Sequence, residues 1–117
     1  MAPRRVPEGL RSVLSQYIKD LDREIGVEKA YLFGSYAKGK AGNGSDIDIA
    51  VFSNRFDNES RIDAIRYLLK KAAKYGGYDL RPVGYGTKKL RDSDDPLISE
   101  ILNTGIDITA ANVINRK

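Results

Sequence analysis

Residues 32–52 read Leu32-Phe33-Gly34-Ser35-Tyr36-Ala37-Lys38-Gly39-Lys40-Ala41-Gly42-Asn43-Gly44-Ser45-Asp46-Ile47-Asp48-Ile49-Ala50-Val51-Phe52. From Asp46 onward the pattern has period two, which predicts a strand over residues 46–52. Asp46, Asp48, Ala50 and Phe52 then share one face, and Ile47, Ile49 and Val51 share the other. The two carboxylates would stand roughly 7 Å apart, two strand rises. Like charges at the mouth of an apolar strand repel and call for a cation. Two carboxylates without histidine suit a hard ion such as Mg²⁺ rather than zinc. A bare Asp-x-Asp is more often simply solvated at a strand end.

Upstream, an apolar run ends in Gly34-Ser35. A strand that turns after glycine offers backbone N–H groups, and these with the serine hydroxyl can hold phosphate oxygens. Lys38 and Lys40 would add positive charge. The same turn is equally an ordinary connection, with glycine for positive φ and serine as an N-cap. Taken together the halves are more specific. Ten residues separate Ser35 from Asp46, and Asp48 follows at once. A phosphate cradle facing a carboxylate pair is what a nucleoside triphosphate with Mg²⁺ requires.

Gly34-Ser35, ten residues, then Asp46-x-Asp48 resembles the signature of the polymerase-β-type nucleotidyltransferases. The fuller string, Gly34-Ser35-x-Ala37-x-Gly39-x-Ala41 … Ser45-Asp46-Ile47-Asp48, is similar to the minimal nucleotidyltransferase (MNT) branch, found in HEPN–MNT toxin–antitoxin pairs. The detailed match covers about twenty residues, and the element order fits over nearly the whole chain. The resemblance implies an α/β (α+β) fold with a small mixed sheet flanked by helices. It implies nucleotide contacts from Gly34, Ser35, Lys38, Lys40 and Ser45, and two Mg²⁺ ions held by Asp46, Asp48 and a third acidic residue. It places that residue on the strand after the long helix, a position that Asp79 matches.

The chain has 117 residues, enough for one domain with a real core but not two. A net charge of +4 fits an anionic ligand without demanding nucleic acid. With no cysteine, thiol chemistry and disulfides are excluded, and with no histidine any general base must be a carboxylate or metal-assisted. No run reaches membrane-spanning length and no signal peptide is evident, so a cytoplasmic location is expected.

Residues 1–7 read as a flexible arm. Leu10, Val13, Leu14, Tyr17, Ile18, Leu21 and Ile25 recur at helical spacing up to Gly26. Residues 27–34 read as the first strand, 36–41 as a short helix, and 53–58 as a polar loop. Ser60 to Asp63 matches a capping box, opening a helix with Ile62, Ile65, Leu68, Leu69 and Ala72 inward and its lysines and arginines solvated. Residues 78–83 read as a third strand, with Pro82 near an edge or end. A polar connection opened by Gly84 and Gly86 follows. Asp95 then caps a last helix begun by Pro96, with Leu97, Ile98, Ile101 and Leu102 inward and Gly105 closing it. Ile106 and Ile108 suggest a short edge strand.

Asp92, Asp94 and Asp95 are alternatives for the third acidic ligand but read as loop and cap residues, and Asp107 reads as solvent-facing. Arg81 shares a strand face with Asp79 and would contact a phosphate or, by preference, pair with Asp79. The resemblance implies transfer of AMP from ATP to a tyrosine hydroxyl of a partner HEPN toxin, with the chain as its antitoxin in a hetero-oligomer, and a homodimer as the alternative when alone. Two competing readings are a nucleotidyltransferase for a small hydroxylated molecule such as an aminoglycoside, and a non-catalytic toxin-binding antitoxin. A nucleic acid as direct acceptor is disfavoured, since no segment looks able to hold a template.

Overall fold

Strand β2 (Ile47–Phe52) lies inside a four-stranded sheet and is covered on both faces. The computed structural model describes residues 6–37, 46–91 and 93–109. The other strands are β1 (Lys29–Phe33), β3 (Leu80–Tyr85) and β4 (Ile106–Asp107), in the order β3-β2-β1-β4. β1 pairs antiparallel with β2 and β4, whereas β2 and β3 are parallel. A parallel pair needs a crossover, and helix α2 (Arg61–Ala72) supplies it. The mixed sheet flanked by helices is the architecture expected from the resemblance.

The alternation along β2 sorts its side chains as read from the sequence. Ile47, Ile49 and Val51 join the core formed with Leu10, Leu14, Tyr17, Ile18 and Leu21 of helix α1 (Glu8–Ile25) and Ala64, Leu68 and Ala72 of α2. Ala50 and Phe52 face the other way, against Ile98 and Ile101 of helix α3 (Pro96–Thr104) and Tyr85. Asp48 has the parity of Ala50 and Phe52, so it lies on the α3 face. α1 and α2 are also tied by polar contacts. The buried Tyr17 hydroxyl donates to the Leu68 carbonyl at 2.8 Å, and burial pushes its pKa well up. Glu24 accepts from Tyr67 at 2.5 Å and from Lys71 at 2.8 Å.

The caps are as expected. Ser60 accepts from the Asp63 N–H and Asp95 from the Leu97 N–H, while Gly26 ends α1 at φ 73°. Pro82 sits on an edge strand, where a missing donor is tolerated. Several expectations need correction. The first strand starts at Lys29, the second at Ile47 and the third at Leu80, leaving Asp46 and Asp79 just ahead of their strands. The segment after β2 is no plain polar loop: a 3₁₀ turn (Asn54–Phe56) buries Phe56. Gly84 lies within β3, where a Cβ would meet Phe56 and Ala64, so its glycine serves close packing rather than a loop. Val6 packs against the α1 core, so its part of the expected arm is anchored; residues 1–5 lie outside the described residues. Residues 34–37 form a turn, and the rest of the expected short helix is likewise outside them. Asp107 is not solvent-facing: it accepts from Thr109 and from Lys29, the latter at 3.2 Å.

The largest correction concerns helix faces. Ile62 is 66% and Leu69 47% exposed, and Leu97 of α3 also points outward. Leu68 and Ala72 are buried as expected, and Ala64 joins them in place of Ile62 and Leu69, since the sheet beneath α2 includes Gly84 and admits a small residue there. Leu68→Ala is therefore expected to cost about 2–5 kcal/mol of stability, and Leu69→Ala less than about 1 kcal/mol. Urea unfolding of both variants checks this; equal losses would mean α2 presents another face.

Candidate active site

One end of the sheet gathers the acidic residues, and backbone register alone brings them there. Parallel pairing sets Ile47 beside Leu80 and Asp48 beside Arg81. The residues just before, Asp46 and Asp79, are adjacent too: the Ile47 N–H donates to the Asp79 carbonyl at 3.0 Å. By strand parity Asp46, Asp48, Asp79 and Arg81 project on one face. Asp46 and Asp79 are exposed, and Asp48 is partly buried.

Antiparallel pairing brings in the turn. Phe33 stands opposite Asp48, so the next residue, Gly34, reaches the same end. Its φ is +71°, which favours glycine. A second constraint acts there: a Cβ on Gly34 would run into the Asp48 carboxylate at Oδ2. Gly34 is required both by backbone conformation and by the side chain it faces. Ser35 follows, partly exposed, in the turn over residues 34–37. The structure thus brings Gly34, Ser35, Asp46, Asp48 and Asp79 to one end of the sheet. Lys38, Lys40 and Ser45 lie outside the described residues, as does Asp92. Asp95 is engaged as the α3 cap, and Asp107 is held at the β1–β4 edge.

The electrostatics divide the three aspartates. Burial pushes the Asp48 pKa up, neighbouring Asp46 adds to it, Arg81 offsets part, and Asp79 adds a little more. Asp79 goes the other way, held below its ordinary value chiefly by its hydrogen bonds from Arg81. Arg81 donates through Nε to Asp79 Oδ1 at 3.4 Å and through a terminal nitrogen to Oδ2 at 3.1 Å. That terminal nitrogen is also 3.6 Å from Asp46 Oδ1. The expected Arg81–Asp79 bridge is present; the link to Asp46 was not foreseen. Its signal lay in the parity of Asp79 and Arg81 once β3 is laid parallel to β2. Among the described residues no group of three or more acidic side chains is gathered closely enough to hold a metal ion as it stands.

A model of the nucleotidyltransferase domain matches residues 14–102. The chain belongs to that family. The match takes in β1, the turn, β2, α2 and β3, the elements that assemble this end of the sheet. The chain is similar to the protein adenylyltransferase MntA of Thermococcus cleftensis (strain DSM 27260 / KACC 17922 / CL1), 41% identical over 44 residues. That match spans 38% of this chain and 44% of the length of that relative. Among solved structures, a toxin–antitoxin with AMP-PNP is similar at TM-score 0.57 and 28% identity, covering 86% of this chain and 83% of that one. A mutant of the toxin–antitoxin MntA–HpeT follows at TM-score 0.53 and 25% identity, covering 94% and 85%. A nucleotidyltransferase of Sulfolobus solfataricus shares the fold, at TM-score 0.60 and 16% identity over 74% and 76% of the chains. No described helix of this nucleotidyltransferase domain is long and apolar enough to cross a membrane.

A carboxylate whose pKa is higher in the folded than in the unfolded chain binds its proton more tightly when folded. Its contribution to stability therefore falls as pH rises from 3.8 through the raised value, and the full penalty stands above that. In the absence of divalent cations, Asp48→Asn is expected to raise the melting temperature at pH 7, with the gain shrinking as pH approaches 3.8. Calorimetry across pH checks this; an unchanged or lower melting temperature at pH 7 would show that Asp48 carries no such penalty.

Proposed function

We propose that the chain is a Mg²⁺-dependent nucleotidyltransferase that transfers AMP from ATP to a tyrosine hydroxyl of a partner HEPN toxin, and that it acts as the antitoxin. The observation that carries the reading is Gly34 set against Asp48, the turn that would hold phosphates directly facing the acidic strand. The similarity to an adenylyltransferase and to two toxin–antitoxin assemblies supports the acceptor and the partner.

The donor set fits the ion. Asp46, Asp48 and Asp79 offer only oxygen, the preference of Mg²⁺. Burial and the neighbouring Asp46 both disfavour the charge on Asp48, a penalty that a bound cation would offset. When bound, Mg²⁺ would supply Lewis-acid stabilisation of the charge on the phosphates and the attacking oxygen. Asp46 and Asp48 would hold both ions, and Asp79 would share the one nearer the acceptor. Gly34 and Ser35 would hold the β- and γ-phosphates so that pyrophosphate departs in line with the incoming hydroxyl, with Lys38, Lys40 and Ser45 as further nucleotide contacts. The acceptor oxygen bonds to the α-phosphorus, the bond from that phosphorus to the bridging oxygen breaks, and Asp79 takes the hydroxyl proton. Positioning and electrostatics carry most of such a reaction.

The test mixes the protein with ATP, Mg²⁺ and a HEPN protein verified to bind it, and reads the intact mass of that partner. The expected result is the added mass of AMP, located on a tyrosine by fragmentation. Asp48→Asn should lower the rate at least about a hundredfold while circular dichroism stays unchanged. No added mass on a verified partner, or full activity of the variant, overturns the reading.

A further inference from the structure

Arg81 occupies the space that the proposed metal site needs. It is exposed at the start of β3, its Cα paired with Asp48. Its guanidinium reaches both Asp79 oxygens, at 3.4 and 3.1 Å, and approaches Asp46 at 3.6 Å. Two carboxylates, each just ahead of one of two paired strands, are thus already bridged by a cation, and among the described residues no group of three or more acidic side chains is gathered closely enough to hold a metal ion. A guanidinium has donors and no lone pair, so it cannot ligate a metal beside these carboxylates, and its positive charge so close to them opposes a cation's entry until it moves away. Leaving is feasible because the pair is open to water: the side chains of Arg81, Asp79 and Asp46 are 57%, 56% and 51% exposed, and ion pairs so exposed are weakly held. A displaced guanidinium beside a triphosphate finds a bidentate anionic partner in its oxygens. A metal ion arriving alone offers it none.

We propose that Arg81 is a built-in substitute for the metal, neutralising Asp46 and Asp79 until a metal–triphosphate complex arrives, then releasing them and pairing with phosphate. This rests on the reading that Asp46, Asp48 and Asp79 bind the cation. Its consequence is coupling: each of metal and nucleotide raises the affinity for the other, because only together do they move Arg81 without stranding a charge. The nucleotide-free enzyme is thereby kept from holding a divalent ion in an idle site.

The experiment measures Mn²⁺ binding to the full chain by titration calorimetry and by electron paramagnetic resonance, without nucleotide and with saturating AMP-PNP. Wild type, Arg81→Met, Arg81→Lys and Asp48→Asn are compared, each checked for folding by circular dichroism. Without nucleotide, Arg81→Met is expected to bind Mn²⁺ about tenfold more tightly than wild type, a modest effect for removing one adjacent positive charge. Arg81→Lys should resemble wild type more closely, and the gain from AMP-PNP should shrink in Arg81→Met. If Arg81→Met binds nucleotide-free Mn²⁺ no more tightly than wild type, the role given to Arg81 is overturned. The site reading then survives provided that wild type still binds Mn²⁺ with AMP-PNP and Asp48→Asn does not. If Asp48→Asn binds as well as wild type under those conditions, both fall.

Discussion

Negative charge crowded at one end of the sheet is the constraint on which the other features of this protein turn. Three aspartates are brought there by backbone pairing, so they cannot move apart without breaking a strand ladder. Asp48 bears most of the strain, because partial burial and its neighbours both disfavour its charge. Arg81 bonds Asp79 and holds its pKa down, whereas the pKa of Asp48 stays raised despite Arg81, which leaves an uneven field across a few ångströms. That uneven field lies at the end of the sheet that the nucleotidyltransferase-domain match takes in.

The rest of the fold can be understood as support for that end. β2 is buried on both sides, so its register is fixed: a slip of one residue would drive Asp48 into the α1–α2 core. α2 returns the chain so that β3 runs parallel to β2, and this alone brings Asp79 level with Asp46. The hydroxyl of Tyr17 and the carboxylate of Glu24 fasten α2 to α1, which holds that crossover in place. Gly34 then closes the arrangement, since no other residue leaves space for the Asp48 carboxylate at a positive φ.

Much of this was legible residue by residue. Period-two alternation assigned the faces of β2 correctly because its inward residues on both sides are apolar and Asp48 shares the parity of Asp46 just before it. Ser60, Asp95 and Gly105 marked helix ends because capping is local chemistry. Helix faces were less legible. Leu68 was read inward correctly. Ile62 and Leu69 also looked inward by hydrophobicity, yet small Ala64 makes the contact, since Gly84 and Phe56 shape the surface beneath it. Asp107 looked exposed because nothing nearby in sequence signalled Lys29, which is brought to it by strand pairing.

The sequence by itself determined the strand that carries Asp48 and follows Asp46, the glycine turn before it and the helix ends, because those depend on neighbours within a few residues. Only the tertiary structure decided that Asp79 stands beside Asp46, that Arg81 bridges the two, and that Gly34 owes its identity to Asp48 as well as to φ. Those facts arise from parallel and antiparallel register between strands far apart in the chain, which no local pattern encodes.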